Sequence, residues 1–285
     1  VLTEETAAAT ITTLNLKGVA DGLKVENSKA TVTGESINAT GTGNTITNSG
    51  AFTYTAVNVV AGDANSDLSI TNTGKAALGT VTVSASVKGT ATFAIGDSGT
   101  ATADDITVTG NDATHGATLT VSGTAPAKVG DNQPNNLTAA FLTVNGFGTA
   151  NLNAAYVLIN GDVTVAKDGS LATDTDNKTT VAKTLTLAKG AELTNSGALT
   201  VGTLVNNTEI ANSGSLTIKG VDGATSVNAG TILSDADKNV TVAGNFDNQL
   251  YVDSSSKKSA ANLTADTLTV SKGTFNNAGI VEVST

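Results

Sequence analysis

Apolar residues alternate with small polar ones along most of this chain. The period of two belongs to a strand with one buried face, not to a helix. The phrase apolar-Thr-apolar recurs as Val81-Thr82-Val83, Ile106-Thr107-Val108, Leu142-Thr143-Val144, Leu185-Thr186-Leu187, Leu216-Thr217-Ile218 and Leu268-Thr269-Val270. Between such phrases lie turn signals, among them Asn48-Ser49-Gly50, Asn72-Thr73-Gly74, Asn195-Ser196-Gly197, Asn212-Ser213-Gly214, Asn228-Ala229-Gly230 and Asn277-Ala278-Gly279. Asn and Gly both tolerate positive φ, which is the first explanation for their place in a sharp turn.

From Leu68 to Leu268 the phrase returns at irregular steps averaging about 20 residues, within the range of solenoid repeats that carry strands. The pattern predicts an all-β chain folded as a parallel β-helix, a β-solenoid with coils of irregular length. Tandem β-sandwich domains are the alternative, because short alternating strands serve both folds. Residues 41–285 are assigned to the solenoid and residues 1–40 to an N-terminal cap or extended arm. The near-even spacing of Asn195, Asn212 and Asn228 marks the most regular coils. Both prolines, Pro126 and Pro134, fall in 124–137, which reads as a protruding loop. The polar runs 174–180 and 253–259 read as further loops.

Composition agrees with many thin layers rather than one globular centre. The chain of 285 residues is 39% hydrophobic but 3% aromatic, so its core is built from Val, Leu, Ile and Ala. β-Branched residues at period two set it apart from a disordered Gly/Ser/Thr-rich segment. The net charge is -10, and all 15 basic residues are lysine. A polyanion without a basic stripe or an arginine fork is a poor partner for nucleic acid and for anionic membrane surfaces. No apolar run reaches the roughly 20 residues of a spanning helix, so no membrane insertion is expected. The absence of Cys and Met suits export, with Val1 following a removed signal or pro-segment and an extracellular or cell-surface destination.

Candidate chemistry is sparse. His115, the single histidine, lies in the loop 111–116, so a histidine-rich metal cluster is impossible and a catalytic triad has one candidate base. Of the paired carboxylates, Asp104 and Asp105 are expected on opposite strand faces, whereas Asp235 and Asp237 share one. Asp63, Asn65 and Asp67 alternate as calcium-loop ligands do, but Leu68 stands where that loop needs Gly and Gly74 where it needs Glu; Asp235-Ala236-Asp237-Lys238-Asn239 has the same partial character. No cofactor is expected apart from such a calcium ion. The pairs Thr71/Thr73, Thr80/Thr82, Thr90/Thr92, Thr100/Thr102 and Thr118/Thr120 are spaced for one strand face, like the Thr-x-Thr arrays of ice-binding solenoids, although variable coil lengths oppose a lattice-matched plane.

Phrases such as Leu193-Thr194-Asn195-Ser196-Gly197-Ala198-Leu199-Thr200-Val201 and Ile210-Ala211-Asn212-Ser213-Gly214-Ser215-Leu216-Thr217-Ile218 resemble repeats of bacterial autotransporter passengers and filamentous-haemagglutinin-like adhesins. The resemblance implies a secreted, β-helical bacterial surface protein and transfers no functional residue. The residues themselves give the expectation of a non-enzymatic extracellular structural protein that stacks end to end into a filament or surface layer. Its interface is drawn from apolar residues near the two ends, Leu2, Ile11, Leu14, Leu16, Ile280, Val281 and Val283, where strand edges invite pairing. The alternative is an adhesin passenger that binds a host or cell-surface ligand through the loop 126–136.

Overall fold

The computed structural model describes residues 8–20, 22–235, 238–252 and 258–283. Among them there is no helix, hence none long and apolar enough to cross a membrane. The strands form one right-through coil with parallel ladders, a β-solenoid. A 12-stranded sheet makes its first face, one strand per turn, and an 18-stranded sheet supplies the other two. Strands such as Thr31–Thr40 span both of those faces: the first half pairs with Ala8–Thr10 and the second with Thr13–Lys17. Each strand pairs in parallel with its equivalents one turn away, which rules out tandem sandwiches. Among the described residues the one antiparallel pair of strands is a hairpin, Leu250–Val252 with Lys258–Ala260, inserted in a late turn.

Alternation places one set of side chains inward on every face, and the registers stack them. On the first face Leu68, Phe93, Leu119, Ala150 and Leu171 form one file, continued by Leu193, Ile210, Ile232, Leu263 and Val281. Most of these are essentially inaccessible to solvent. A buried Leu, Ile or Phe contributes about 1.5–3 kcal/mol, so the core is a sum of small layers with no dominant centre.

The predicted boundary at residue 40 has no counterpart in the fold. Ala8–Thr10, Thr13–Lys17, Leu23–Val25 and Thr31–Thr40 already lie in the three ladders, and Leu16, Leu23 and Val25 are core residues. The described residues of 8–40 thus continue the ladders of the coil; residues 1–7 are outside the described set.

Turn length varies because the insertions sit at the corners: 17 residues separate Asn195 from Asn212, whereas 29 separate Asn248 from Asn277 across the hairpin. The stretch from Thr124 to Asn136 is such an insertion, pinned by Asn136 Nδ2 to the Thr124 carbonyl at 2.7 Å and by Gln133 Nε2 to the Pro126 carbonyl at 2.8 Å. The polar run at 174–180 is only partly loop, since a strand begins at Lys178. Of 253–259, residues 253–257 are outside the described set and Lys258 starts the second hairpin strand.

Two local readings change. Asp104 and Asp105 are both exposed, because strict alternation fails where Thr100–Thr109 bends from the second face to the third. The turn glycines Gly50, Gly74, Gly197, Gly214, Gly230 and Gly279 do not have positive φ. They are required because successive turns stack backbone on backbone: a Cβ on Gly74 would lie 2.0 Å from the Gly50 carbonyl oxygen, and one on Gly214 would lie 1.9 Å from that of Gly197.

Candidate functional site

The asparagines of the predicted turns are buried, except Asn277 in the last described turn, and they form ladders. At the corner from first to second face, Asn48 Nδ2 donates to Asn72 Oδ1 at 2.8 Å. Farther along, Thr173 Oγ1 donates to Asn195 Oδ1, Asn195 to Asn212 and Asn212 to Ser234 Oγ, at 2.6, 2.6 and 2.7 Å. At the corner from third to first face, Asn206, Asn228, Asn248 and Asn277 are joined head to tail by three bonds of 2.8 Å. The evenly spaced Asn195, Asn212 and Asn228 thus belong to two different ladders. The spare amide hydrogen of each buried Asn goes to a backbone carbonyl, as Asn195 does to Ser215 and Asn228 to Asn262. Both ladders replace aliphatic files: register runs from Leu152 through Thr173 to Asn195 at one corner, and from Leu187 to Asn206 at the other.

The calcium candidates diverge. Asp67 Oδ1 accepts from the Gly43 and Asn44 amides of the preceding turn at 2.8 and 3.0 Å, whereas Asn65 Oδ1 accepts from the Thr90 amide of the following turn at 3.0 Å. Asp63 pairs with Lys88 at 2.9 Å in an exposed ion pair. The three oxygens bind turn to turn. Among the described residues no group of three or more His, Asp or Glu converges as metal ligands do. Asp237 of the second candidate is outside the described residues.

His115 lies beside Asp112, with Nδ1 3.0 and 3.1 Å from the two carboxylate oxygens. Asp112 also accepts from the Thr114 hydroxyl at 2.7 Å and from the Thr114 and His115 amides. The Thr114 hydroxyl, then His115, holds the Asp112 carboxyl well below the usual carboxylate range. The Thr114 hydroxyl also lies 3.0 Å from His115 Nδ1, so Asp112 closes a side-chain-capped turn through the hydroxyl, the imidazole and two backbone amides.

The threonine pairs separate onto different faces: Thr118 and Thr120 on the first, Thr100 and Thr102 on the second, Thr80 and Thr82 on the third. A different threonine array emerges across turns. On the outside of the second face one register position is filled by Thr10, Thr33 and Thr53, then Thr102 and Thr138. It continues through Thr180, Thr200, Thr217, Thr241 and Thr269, with Ala77 and Leu158 as the two interruptions. Reading along single strands could not reveal this file, because irregular turn lengths hide which threonines are equivalent.

At the far end of the coil the inward positions Leu268, Phe275 and Val281 are only partly buried, and Val270 and Val283 are exposed, since no further turn of the described chain covers them. Of the predicted interface residues, Val281 and Val283 share this end face, and Ile280 is exposed beside it. Leu268, Val270 and Phe275 were not singled out; they differ from core residues only in lacking a neighbour, which local sequence does not encode. At the other end Ile11 and Leu14 are partly buried, whereas Leu16 is fully in the core, stacked on Ala39. Leu2 is outside the described residues.

A polar cleft of about 580 Å³ also opens where the tight turns at Ser196-Gly197 and Ser213-Gly214 lie between the wider turns that carry Lys178 and Lys238. No protein-family model, curated protein or solved structure matches the chain.

Proposed function

We propose that this chain is a non-enzymatic extracellular structural rod that extends by end-to-end stacking of coils into a filament or surface layer. The observation that carries the reading is the last described turn, where Leu268, Val270, Phe275, Val281 and Val283 place apolar side chains beside a parallel strand edge that no strand of the described residues pairs. An open edge is a template for another strand, and a head-to-tail contact between unlike ends does not close on itself. Lysine in place of Val281 puts a charge against any turn laid on that edge and leaves the earlier ladders untouched. Electron microscopy of purified residues 1–285 at rising concentration tests the reading. Filaments that shorten or vanish with Val281→Lys are expected; particles one coil long at every concentration in the native sequence overturn it.

A second reading, a secreted adhesin, draws support from the exposed stretch Ala127–Asp131, which carries Val129 at 70% exposure. Exposed loops on a rigid scaffold commonly carry binding. Removal of 127–131 is then expected to abolish adhesion to target cells while assembly is retained.

A further inference from the structure

We infer that the threonine file from Thr10 to Thr269 is a lateral docking surface for a second copy of this chain, so that rods pair side by side as well as end to end.

The file is specific to one register position. The position two residues earlier on the same strands also faces outward at most turns, yet it has threonine only at Thr31, Thr100 and Thr267 and holds residues such as Lys75, Tyr156 and Lys178 elsewhere. General preference for threonine on a sheet surface therefore does not account for ten threonines in twelve turns at the neighbouring position. The file is also uncharged from end to end, its two interruptions being Ala77 and Leu158, in a chain that is 14% charged. Interspersed surface charge is what normally keeps copies of a protein apart.

The partner follows from the period. Twelve parallel strands at the sheet spacing give hydroxyl and methyl groups repeating every ~4.8 Å over ~50 Å. A second copy presents the same repeat by construction, so that each threonine meets an equivalent one and a hydroxyl, both donor and acceptor, finds a hydroxyl. With a strand about four residues wide, or ~13 Å, the face offers roughly 650 Å² per partner, somewhat under the ~800 Å² of a standard interface, with the threonine file as its uncharged part and Lys75 and Lys178 beside it. The same patch on both copies makes the contact isologous and closed, unlike the end contact.

Small-angle scattering with analytical ultracentrifugation on residues 1–285 separates the two modes. Lateral pairing doubles the mass and raises the cross-sectional radius at constant length; end stacking doubles the length at constant cross-section. Concentration-dependent pairing of the lateral kind is expected for the native chain. The double substitution Thr138→Lys with Thr217→Lys is expected to weaken it at least tenfold, with far-ultraviolet circular dichroism unchanged, since both side chains point outward. Thr138→Ser with Thr217→Ser, which keeps the hydroxyls and the neutrality, is expected to retain pairing. A native chain without thickening up to millimolar concentration overturns the inference, as does thickening that survives the lysine pair. Inhibition of ice growth by a strictly monomeric native chain, lost in the lysine variant, also overturns it by assigning the file to an ordered water surface.

Discussion

Asn195 lies directly beneath Asn212 at a buried corner of the coil, its Nδ2 donating to Oδ1 of Asn212 at 2.6 Å across a single 17-residue turn. Neither side chain reaches solvent, so each depends on the other to satisfy a polar group that the fold has dehydrated. Asn212→Val removes the acceptor for Asn195 and the donor to Ser234, and each orphaned group costs about 1–3 kcal/mol. A loss of roughly 2–4 kcal/mol in urea unfolding is expected. The outer-surface Asn38→Ala, which breaks the solvent-facing bonds to Asn15 and Asn58, is expected to cost less than about 1 kcal/mol.

The turn glycines give a sharper contrast. Gly214→Ala forces a methyl against the Gly197 carbonyl, whereas Gly62 has open space around its Cβ position and no positive φ. Gly214→Ala is expected to destabilise the fold by about 2 kcal/mol or more, and Gly62→Ala to leave it unchanged or stabilise it by about 0.5 kcal/mol. Equal melting temperatures for the two variants would show that close stacking is not what selects glycine at these corners.

This contrast also marks what local sequence encodes. Period two makes the strands and inward files legible, because each strand needs only its own alternation to find a face. The place of every Asn-x-Gly turn was equally plain. The reason for the glycine was not, since the carbonyl that excludes a side chain at Gly214 belongs to a residue one full turn earlier. For the same reason Asp63, Asn65 and Asp67 read as converging ligands, although Asp67 faces one neighbouring turn and Asn65 the other. Adjacent Asp104 and Asp105 were read by strict alternation, which a bend between two faces suspends. Sequence separation between stacked residues changes from turn to turn, and that register is what the chain alone does not display.

Asp67 acts on this account as a cap for backbone amides, not as a ligand. Asp67→Ala is expected to lower stability by about 1–2 kcal/mol through the unpaired amides of Gly43 and Asn44. Calcium at millimolar concentration is expected to leave the melting temperature of both proteins unchanged; a rise confined to the native protein would restore the ligand reading.

Tyr54 is buried, in edge contact with Phe52 at 6.1 Å, and its hydroxyl has no hydrogen-bond partner. Burial pushes its phenol above the ordinary value of 10.0. The folded state therefore keeps its proton where the unfolded chain loses it, and stability falls as pH rises past the unfolded pKa of about 10. Tyr54→Phe removes the orphaned hydroxyl at nearly constant volume, so a gain of about 1 kcal/mol at neutral pH and a shallower alkaline loss are expected in denaturant titrations.

The shortest turn tests how far the coil is a sum of equivalent layers. Deleting Ser196–Asn212 removes one whole 17-residue period and joins Asn195 to Ser213, so Asn195 takes the place of Asn212 beneath Ser234. The first-face file then passes from Leu193 to Ile232, two residues that each already stack on Ile210. Solenoid stability is close to a sum of layers and nearest-neighbour contacts, so the shortened chain is expected to fold, with strand content intact and a lower denaturant midpoint. Deleting Val205–Val221, the same length begun elsewhere, joins Leu204 to Asp222 and removes Asn206 and Asn212 together. The first deletion removes the same two asparagines but joins equivalent points of successive turns; this one breaks phase, because Val205 is equivalent to Val227 and not to Asp222, and it puts an acidic residue directly after a core position, so loss of the cooperative transition is expected. If circular dichroism and urea unfolding do not distinguish the two deletions, joining equivalent points of successive turns is not what lets the shortened coil fold.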